Sequence, residues 1–338
     1  MHDAAQTGSS LPPAPPARTC GLDAVAAALP EQVVTNADLA ARLGVDERWI
    51  TKRTGVRERR MVRDGEGLVD LASRAGRLAL ERAGVEPGSI DLVIVATFTP
   101  DDPLPHAAQL VAVEVGAENA GAMDLAAACA GFVSAVTVGA ALIEAGRMDR
   151  VLVVAGEILT RAIDLDDRRT APLFGDGAGA AVLSAGGSGR VGPAVLRSEG
   201  RFGHLVRQRR SDMVLRMEGT EVYPYAVRTL AEVTVEVLAR AGWTLDDVDL
   251  FVYHQANERI LHGVCERLGL DEGRVANYIG ATGNTSAASI PIALDQAVCE
   301  GRLRPGMRVL LAAIGGSYVW GGLALEWGAA AQDARPRA

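Results

Sequence analysis

Apolar and polar positions fall into blocks along the chain. Short apolar runs read as buried strands: one starting at Asp91-Leu-Val-Ile-Val, then Val151-Leu-Val-Val-Ala155, residues 180–184, residues 249–252 and Val309-Leu-Leu-Ala-Ala313. Between them lie stretches with helical spacing, the clearest being the small-residue segment 132–145. Strand runs alternating with helical runs predict α/β layering.

The pattern repeats. Arg82-Ala-Gly-Val-Glu-Pro-Gly-Ser-Ile-Asp91-Leu-Val-Ile-Val resembles Arg240-Ala-Gly-Trp-Thr-Leu-Asp-Asp-Val-Asp249-Leu-Phe-Val-Tyr without a gap, and the same offset lays Val151 to Ala155 on Val309 to Ala313. In each half a helix ends at Ala-Gly, a loop follows, and a buried strand begins at Asp-Leu. The repeat is far longer than a solenoid unit, and no linker separates the halves. The expectation is one pseudo-symmetric core: a first half over 19–186 and a second over 187–328. Residues 1–18, rich in Pro, Ala, Ser and Gly, and residues 329–338 are expected to be disordered tails.

In Asp124-Leu-Ala-Ala-Ala-Cys129-Ala-Gly131-Phe132 an apolar run ends in small residues and passes into the 132–145 helix. This predicts strand, sharp turn and helix, with Cys129 on the turn. Free N–H groups and the positive dipole end at a helix start favour a thiolate there; the competing reading is a buried structural cysteine. Allowing a small gap, the repeat aligns this elbow with Gly283-Asn284-Thr-Ser286-Ala-Ala-Ser289. Equivalent strand ends of two packed halves can face one cleft.

Composition narrows the class. The chain has 338 residues with 49% hydrophobic and only 4% aromatic residues, so packing relies on Ala, Val, Leu and Gly. A net charge of −8 argues against a general nucleic-acid binder. Cys20, Cys129, Cys265 and Cys299 show neither metal-ligand spacing nor a disulfide framework, which fits a reducing cytoplasm. No apolar run is long enough to span a membrane, and the N-terminus does not read as a signal peptide.

Further candidates sit at strand ends and in glycine loops. His254, in Tyr253-His254-Gln255-Ala256-Asn257, follows the 249–252 strand. With Cys129 and Asn284 it allows a nucleophile and two donors, as in thiol acyl transfer. Phe174-Gly-Asp-Gly-Ala-Gly-Ala180 lacks a Walker lysine and reads as a turn feeding the 180–184 strand. In Ile314-Gly315-Gly316-Ser317 the backbone N–H of Gly316 can serve as half of an oxyanion hole. Trp49, Arg53 and Arg57-Glu-Arg59-Arg60 suit an adenine face and phosphates, or else a solvated charged face. Arg207-Gln-Arg-Arg210 reads as an exposed loop.

These motifs together resemble β-ketoacyl-acyl-carrier-protein synthase III of the thiolase superfamily, from about Gly21 to Trp327. The resemblance rests on Leu29-Pro-Glu-Gln-Val33, Thr35-Asn-Ala-Asp-Leu39, Trp49-Ile-Thr-Lys-Arg-Thr-Gly-Val-Arg-Glu-Arg-Arg60, Ala127-Ala-Cys-Ala-Gly-Phe132, residues 174–180, His254-Gln-Ala-Asn257 and Gly283-Asn-Thr-Ser-Ala-Ala-Ser289. Neither Cys265 nor Cys299 sits where a thiolase would carry a second catalytic cysteine.

The resemblance implies a five-layered αβαβα fold of two pseudo-symmetric halves, a homodimer, and no metal or cofactor. It implies that Cys129 takes the acyl group from acetyl-CoA or a short branched acyl-CoA. Malonyl-acyl-carrier protein then binds and loses carbon dioxide, with His254 and Asn284 holding the enolate oxygen. The carbanion attacks the acyl-cysteine while the N–H groups of Cys129 and Gly316 hold the second oxyanion. It places Trp49 and Arg168 around the CoA adenine, Arg53 near the CoA phosphates, and the carrier protein on Gln255, Ala256, Asn257, Glu258 and Arg259. Such an enzyme initiates fatty acid synthesis.

Departures from the family pattern concern primer and carrier. Ser317 stands where a third glycine is usual, Leu104 replaces the aromatic residue that one subunit lends to its partner's acyl pocket, the 203–221 segment looks short, and Pro224 occupies a usual basic carrier-docking position. These changes favour a second reading, a paralogue that primes a specialised polyketide or transfers an acyl group without decarboxylation. A non-catalytic partner is a third reading, opposed by the presence of Cys129.

Overall fold

The structure, a computed structural model, describes residues 18–328. Of the two expected tails only Arg18 lies within them. The first half runs β1 (Cys20–Ala28), β2 (Gln32–Thr35), α1 (Asn36–Leu43), α2 (Glu47–Thr54), β3 (Glu58–Met61), α3 (Leu68–Ala83), β4 (Leu92–Ala96), α4 (Ala107–Glu114), β5 (Gly121–Leu125), α5 (Gly131–Glu144), β6 (Arg150–Glu157) and β7 (Gly177–Ala185). The chain continues through β8 (Gly189–Ser198), β9 (Val206–Gln208), β10 (Leu215–Met217), α6 (Gly219–Ala241), β11 (Leu250–Tyr253), α7 (Glu258–Leu268), α8 (Ile279–Thr282), α9 (Ser289–Cys299), β12 (Arg308–Gly315) and β13 (Val319–Trp327).

Two mixed sheets carry the fold. One has the order β1-β7-β6-β4-β5, the other β11-β12-β13-β8. In the first, β4 is parallel to β5 and β6, and β7 runs antiparallel to β6 and β1. In the second, β11 is parallel to β12, and β13 runs antiparallel to β12 and β8. The two apolar helices α5 and α9 lie between the sheets, in a core that also takes Ile94, Val153, Val252 and Leu311. Helices α3 and α4 cover the outer face of the first sheet, with Leu71, Ala75 and Val111 buried against Val93 and Val154. Helices α6 and α7 cover the second, with Leu230 and Val264 against Phe251 and Leu310. That is an αβαβα sandwich, the layering the family resemblance implies.

Local chemistry explains the boundaries. The Ala-Gly helix ends seen in the sequence repeat are C-caps: Gly84 ends α3 at φ 62° and Gly242 ends α6 at φ 68°, both in the left-handed region that glycine enters without a Cβ penalty. Thr35 and Asp38 form a capping box on α1. Asp101 accepts from the N–H groups of Leu68 and Val69, supplying the side-chain cap that Gly67 lacks on α3.

Three expectations need correction. The strand expected over 180–184 begins at Gly177, because the glycines of 174–180 serve close packing: a Cβ on Gly179 would come within 2.8 Å of Pro291 on α9, and one on Gly175 within 2.4 Å of the Thr282 carbonyl. Arg59 is not part of a solvated or CoA-facing basic patch. It is fully buried and donates to the Val34 carbonyl, Asn36 Oδ1 and the Pro172 carbonyl, which costs it part of its basicity by desolvation. Arg207 is half-buried in β9, not on an exposed loop.

Candidate functional site

The carboxyl ends of the parallel strands point to one region, the usual place for a ligand site in such sheets. β5 leads to Cys129, β11 leads to His254, and β12 leads to Gly316. Each half has a one-turn elbow between strand and central helix. Residues 128–130 precede α5 and residues 286–288 precede α9. Ala128 (φ 45°) and Ser286 (φ 49°) are in the left-handed region, at matching positions in the two elbows. No gap is needed: these residues stand the same number of positions apart as Leu92 and Leu250, which open β4 and β11. Left-handed non-glycine residues are held at an energetic cost and gather at functional sites.

Cys129, His254 and Asn284 line one cavity of about 310 Å³. Its other walls are mostly apolar, among them Phe98, Phe174, Leu205, Leu215 and Met217. Gly315 lets the elbow come close, since a Cβ there would lie 2.6 Å from the Cys129 nitrogen. Gly316 also lines the cavity, and the backbone dipoles of Gly316 and of Cys129 itself act on the sulfur. Ser286 Oγ lies 3.3 Å from Cys129 Sγ.

The expectation that the helix start favours a thiolate does not hold in this buried setting. Burial pushes the Cys129 thiol up to about 11, against the lowering effect of the Ser286 hydroxyl and the two backbone N–H groups. Desolvation of a charged sulfur outweighs those dipoles.

His254 is buried, and burial lowers it to about 3, so its imidazole is neutral. Ser289 Oγ accepts from the Gln255 N–H at 3.3 Å and lies 2.7 Å from His254 Nδ1. The hydroxyl keeps its own proton free to donate to Nδ1, and in that arrangement Nε2 carries the ring proton. Asn284 is oriented in the same manner. Its Oδ1 accepts from the Ser286 N–H at 2.8 Å, its Nδ2 donates to the Ala256 carbonyl at 3.3 Å, and its backbone is tied to Leu173 and Gly175 of the first half. In that tautomer two neutral N–H donors border the cavity opposite the elbow cysteine.

The remaining candidates divide. Trp49 and Arg168 meet at the α1–α2 corner: Trp49 packs with Leu39 and Leu43, and Arg168 Nε donates to the Leu43 carbonyl at 2.6 Å. The Arg53 guanidinium lies 4.2 Å above the Trp49 ring. The Arg53 carbonyl accepts from Asn257 Nδ2 at 3.0 Å, which joins this corner to the start of α7. Asn257 caps α7, Ala256 lines the cavity, Glu258 is half-buried and Arg259 is exposed. Gln255 does not reach the surface. It is buried, with its side chain bonded to the Tyr253 and Ala276 carbonyls and the Tyr278 N–H, so it shapes the loop that carries His254 instead of meeting a partner. Leu104 is not among the residues that line the cavity and is 73% exposed.

Sequence reasoning missed Glu157, the last residue of β6. It is buried and within 3.4 Å of Ser286 Oγ. An acid ending the fully apolar run Val151 to Gly156 was the available signal.

The layering and the elbow cysteine together define a thiolase-like protein. Comparison with known proteins narrows this. Residues 123–200 match the family model of 3-oxoacyl-[acyl-carrier-protein (ACP)] synthase III, and residues 238–327 match that of its C-terminal part. A beta-ketoacyl-[acyl-carrier-protein] synthase III of Symbiobacterium thermophilum is 42% identical over 326 residues, covering 92% of this chain and 99% of that protein. The crystal structure of 3-oxoacyl-[acyl-carrier-protein] synthase III from Aquifex aeolicus superposes with a TM-score of 0.89 at 38% identity, over 91% of this chain and all of that one. The priming beta-ketosynthase of the R1128 polyketide biosynthetic pathway gives the same TM-score at 37% identity, over 93% of this chain and 98% of that one. The chain belongs to the β-ketoacyl-acyl-carrier-protein synthase III family.

The His254 environment fixes a sign for stability against pH. In the unfolded chain its imidazole titrates near 6.5, and in the folded chain near 3. Between these values the unfolded state binds the extra proton, so this contribution is lost as pH falls below about 6.5. Relative to His254→Gln, the wild type is expected to lose roughly 1–2 kcal/mol more stability between about pH 7.5 and 5 in urea titrations. Parallel pH dependence of the two proteins would show that the folded imidazole accepts a proton.

Proposed function

We propose that this chain catalyses the decarboxylative condensation of an acyl-CoA primer, acetyl or short branched, with malonyl-acyl-carrier protein. The product is a 3-oxoacyl-acyl-carrier protein, the first step of fatty acid synthesis. The observation that carries the reading is the convergence of Cys129 from one half with His254 and Asn284 from the other on a single apolar cavity.

Cys129 attacks the primer thioester, the acyl group moves to its sulfur, and CoA leaves. The N–H groups of Cys129 and Gly316 hold the oxygen of the tetrahedral species, since both residues line the cavity around the sulfur. Malonyl-carrier protein then loses carbon dioxide. The enolate oxygen accepts from His254 Nε2 and Asn284 Nδ2, and a neutral imidazole suits that task because it donates without first being charged. The carbanion attacks the acyl-cysteine carbonyl, and collapse expels the Cys129 thiolate. A pure acyl transfer has no use for the His-Asn donor pair, which favours condensation. The R1128 similarity keeps a polyketide-priming role as the second reading.

The α1–α2 corner is where the reading places CoA, with the adenine between Trp49 and Arg168. Arg53, exposed and stacked on Trp49, lies where its guanidinium can meet the phosphates. Arg259, exposed at the start of α7, meets the acidic carrier protein beside Ala256, Asn257 and Glu258. The chain works as two halves, 19–186 and 187–328, with one shared site, in the cytoplasm; its four cysteines are free, and no helix among the described residues is long and apolar enough to cross a membrane.

The reading also includes a homodimer. β5 is an edge strand with Met123 exposed, next to exposed Leu110 and Val113 of α4 and the exposed Leu104. An apolar, unpaired edge of this kind calls for a partner, and a second copy pairing β5 to β5 supplies it while carrying Leu104 toward the neighbouring acyl pocket.

Two tests follow. Asn284→Ala is expected to slow condensation about 100-fold or more while leaving acylation of Cys129 by acyl-CoA near wild type, both followed by mass spectrometry; equal losses would make Asn284 a structural residue. Met123→Asp is expected to shift the protein to monomer in sedimentation velocity, and an unchanged dimer would move the interface elsewhere.

A further inference from the structure

Glu157 is a buried carboxylate at the C-terminal end of β6. No Lys, Arg or His pairs with it among the described residues. Burying a carboxylate without a cation is costly, so such a group is retained only with dedicated partners. One oxygen has them. Oε2 accepts from Thr97 Oγ1 at 3.0 Å, the Phe98 N–H at 3.2 Å, the Thr99 N–H at 3.1 Å and Thr99 Oγ1 at 2.6 Å.

The other oxygen faces the reaction centre. Oε1 lies 3.4 Å from Ser286 Oγ, and Ser286 Oγ lies 3.3 Å from Cys129 Sγ. The groups that face Glu157 are Thr97, Phe98 and Thr99 after β4, Ser286 on the second elbow, and Cys129 on the first. Of these only Cys129 titrates. The serine hydroxyl has one proton and two acceptors, so it can point to the carboxylate or to the sulfur, not both. Those two settings are the two ends of a proton relay. His254 makes no hydrogen bond to the sulfur, and its neutral ring is a poor proton acceptor there.

We propose that Glu157 is the proton acceptor for Cys129, acting through the Ser286 hydroxyl, and that this relay makes the thiolate when acyl-CoA is bound. The inference deepens the reading of Cys129 as nucleophile and rests on it. The thiol gives its proton to Ser286 Oγ, and Ser286 gives its own proton to Glu157 Oε1. The S–H bond breaks, a carboxylic O–H forms, and the cluster keeps its single negative charge, so no new charge is buried. The thiolate attacks the thioester carbon, and CoA leaves as a thiolate that water protonates outside the cavity. When condensation later expels the Cys129 thiolate, Glu157 returns the proton by the same route. Burial raises the Glu157 carboxyl to about 7, against the lowering effect of its Thr and backbone donors, which suits a group that both takes and returns a proton near neutral pH. Glu157 does not touch substrate; it is a positioning and proton-holding residue acting through Ser286.

The test measures acyl-enzyme formation from acetyl-CoA by intact mass under single-turnover conditions, from about pH 6 to 10, for wild type, Glu157→Gln, Glu157→Asp and Ser286→Ala. The relay predicts that Glu157→Gln and Ser286→Ala acylate roughly ten-fold or more slowly near neutral pH, with their profiles displaced to alkaline pH. Glu157→Asp recovers part of the rate, and in all three malonyl-carrier protein clears pre-formed acyl-enzyme with a smaller loss than acylation suffers, because the proton returns only after the thiolate has left. If Glu157→Gln does not fold, Ser286→Ala decides by the same criteria. A wild-type acylation profile in either folded variant overturns the relay, as does an equal loss in both half-reactions. Failure of the wild type itself to acylate would instead overturn the nucleophile reading.

Discussion

At the centre of the molecule the elbow of one half presses on the elbow of the other. A Cβ on Gly131 would lie 3.0 Å from the Ala96 methyl group and 3.1 Å from that of Ala287, and a Cβ on Gly315 would run into the Cys129 nitrogen. Contacts this close leave no room for larger side chains, because protein interiors pack as densely as organic crystals. They explain why a chain with few aromatic residues is so rich in Ala and Gly along its central helices. They also put Cys129 from one half against Ser286 from the other, and make the two elbow residues Ala128 and Ser286 adopt left-handed backbone angles. The site exists because two similar halves meet there; neither half alone supplies it.

Around that contact the electrostatics are those of a dry cavity. The thiol rests protonated, the imidazole rests neutral, and the nearby Glu157 carboxylate is held by hydroxyl and amide donors, with no cation paired to it among the described residues. Each shift has desolvation as its largest cause. On the proposed reading, such a site holds its donors fixed toward places where charge would develop, at Cys129 and Gly316 on one side and at His254 and Asn284 on the other, without maintaining charge beforehand.

Much of this was legible in the sequence. The Ala-Gly helix ends, the Asp-Leu strand starts and the aligned elbows gave the two-fold repeat, since caps and buried strands depend on local residue types that survive in both halves. The cavity triad followed from strand ends and glycine loops, and from the resemblance that joined them. What escaped was burial of polar groups in tertiary context. Arg59 sits in an arginine-rich segment that reads as a charged face, yet its guanidinium is enclosed by Val34, Asn36 and Pro172. Gln255 stands between His254 and a helix cap, and only the fold shows that its amide turns inward. Glu157 ends an apolar strand, and its partners come from residues 97–99 and 286, far away in the sequence. Cys129 was expected as a thiolate because the helix start is visible in sequence and the dryness of the cavity is not.

The most direct test of the account is intact-protein mass after mixing the wild-type enzyme with acyl-CoAs from acetyl and isobutyryl to medium-chain and aromatic, followed by a chase with malonyl-acyl-carrier protein. The account predicts one acyl adduct on Cys129, formed from acetyl or short branched primers, and its complete transfer to a 3-oxoacyl-carrier protein. No adduct from any primer, or an adduct that malonyl-carrier protein leaves in place, would contradict it.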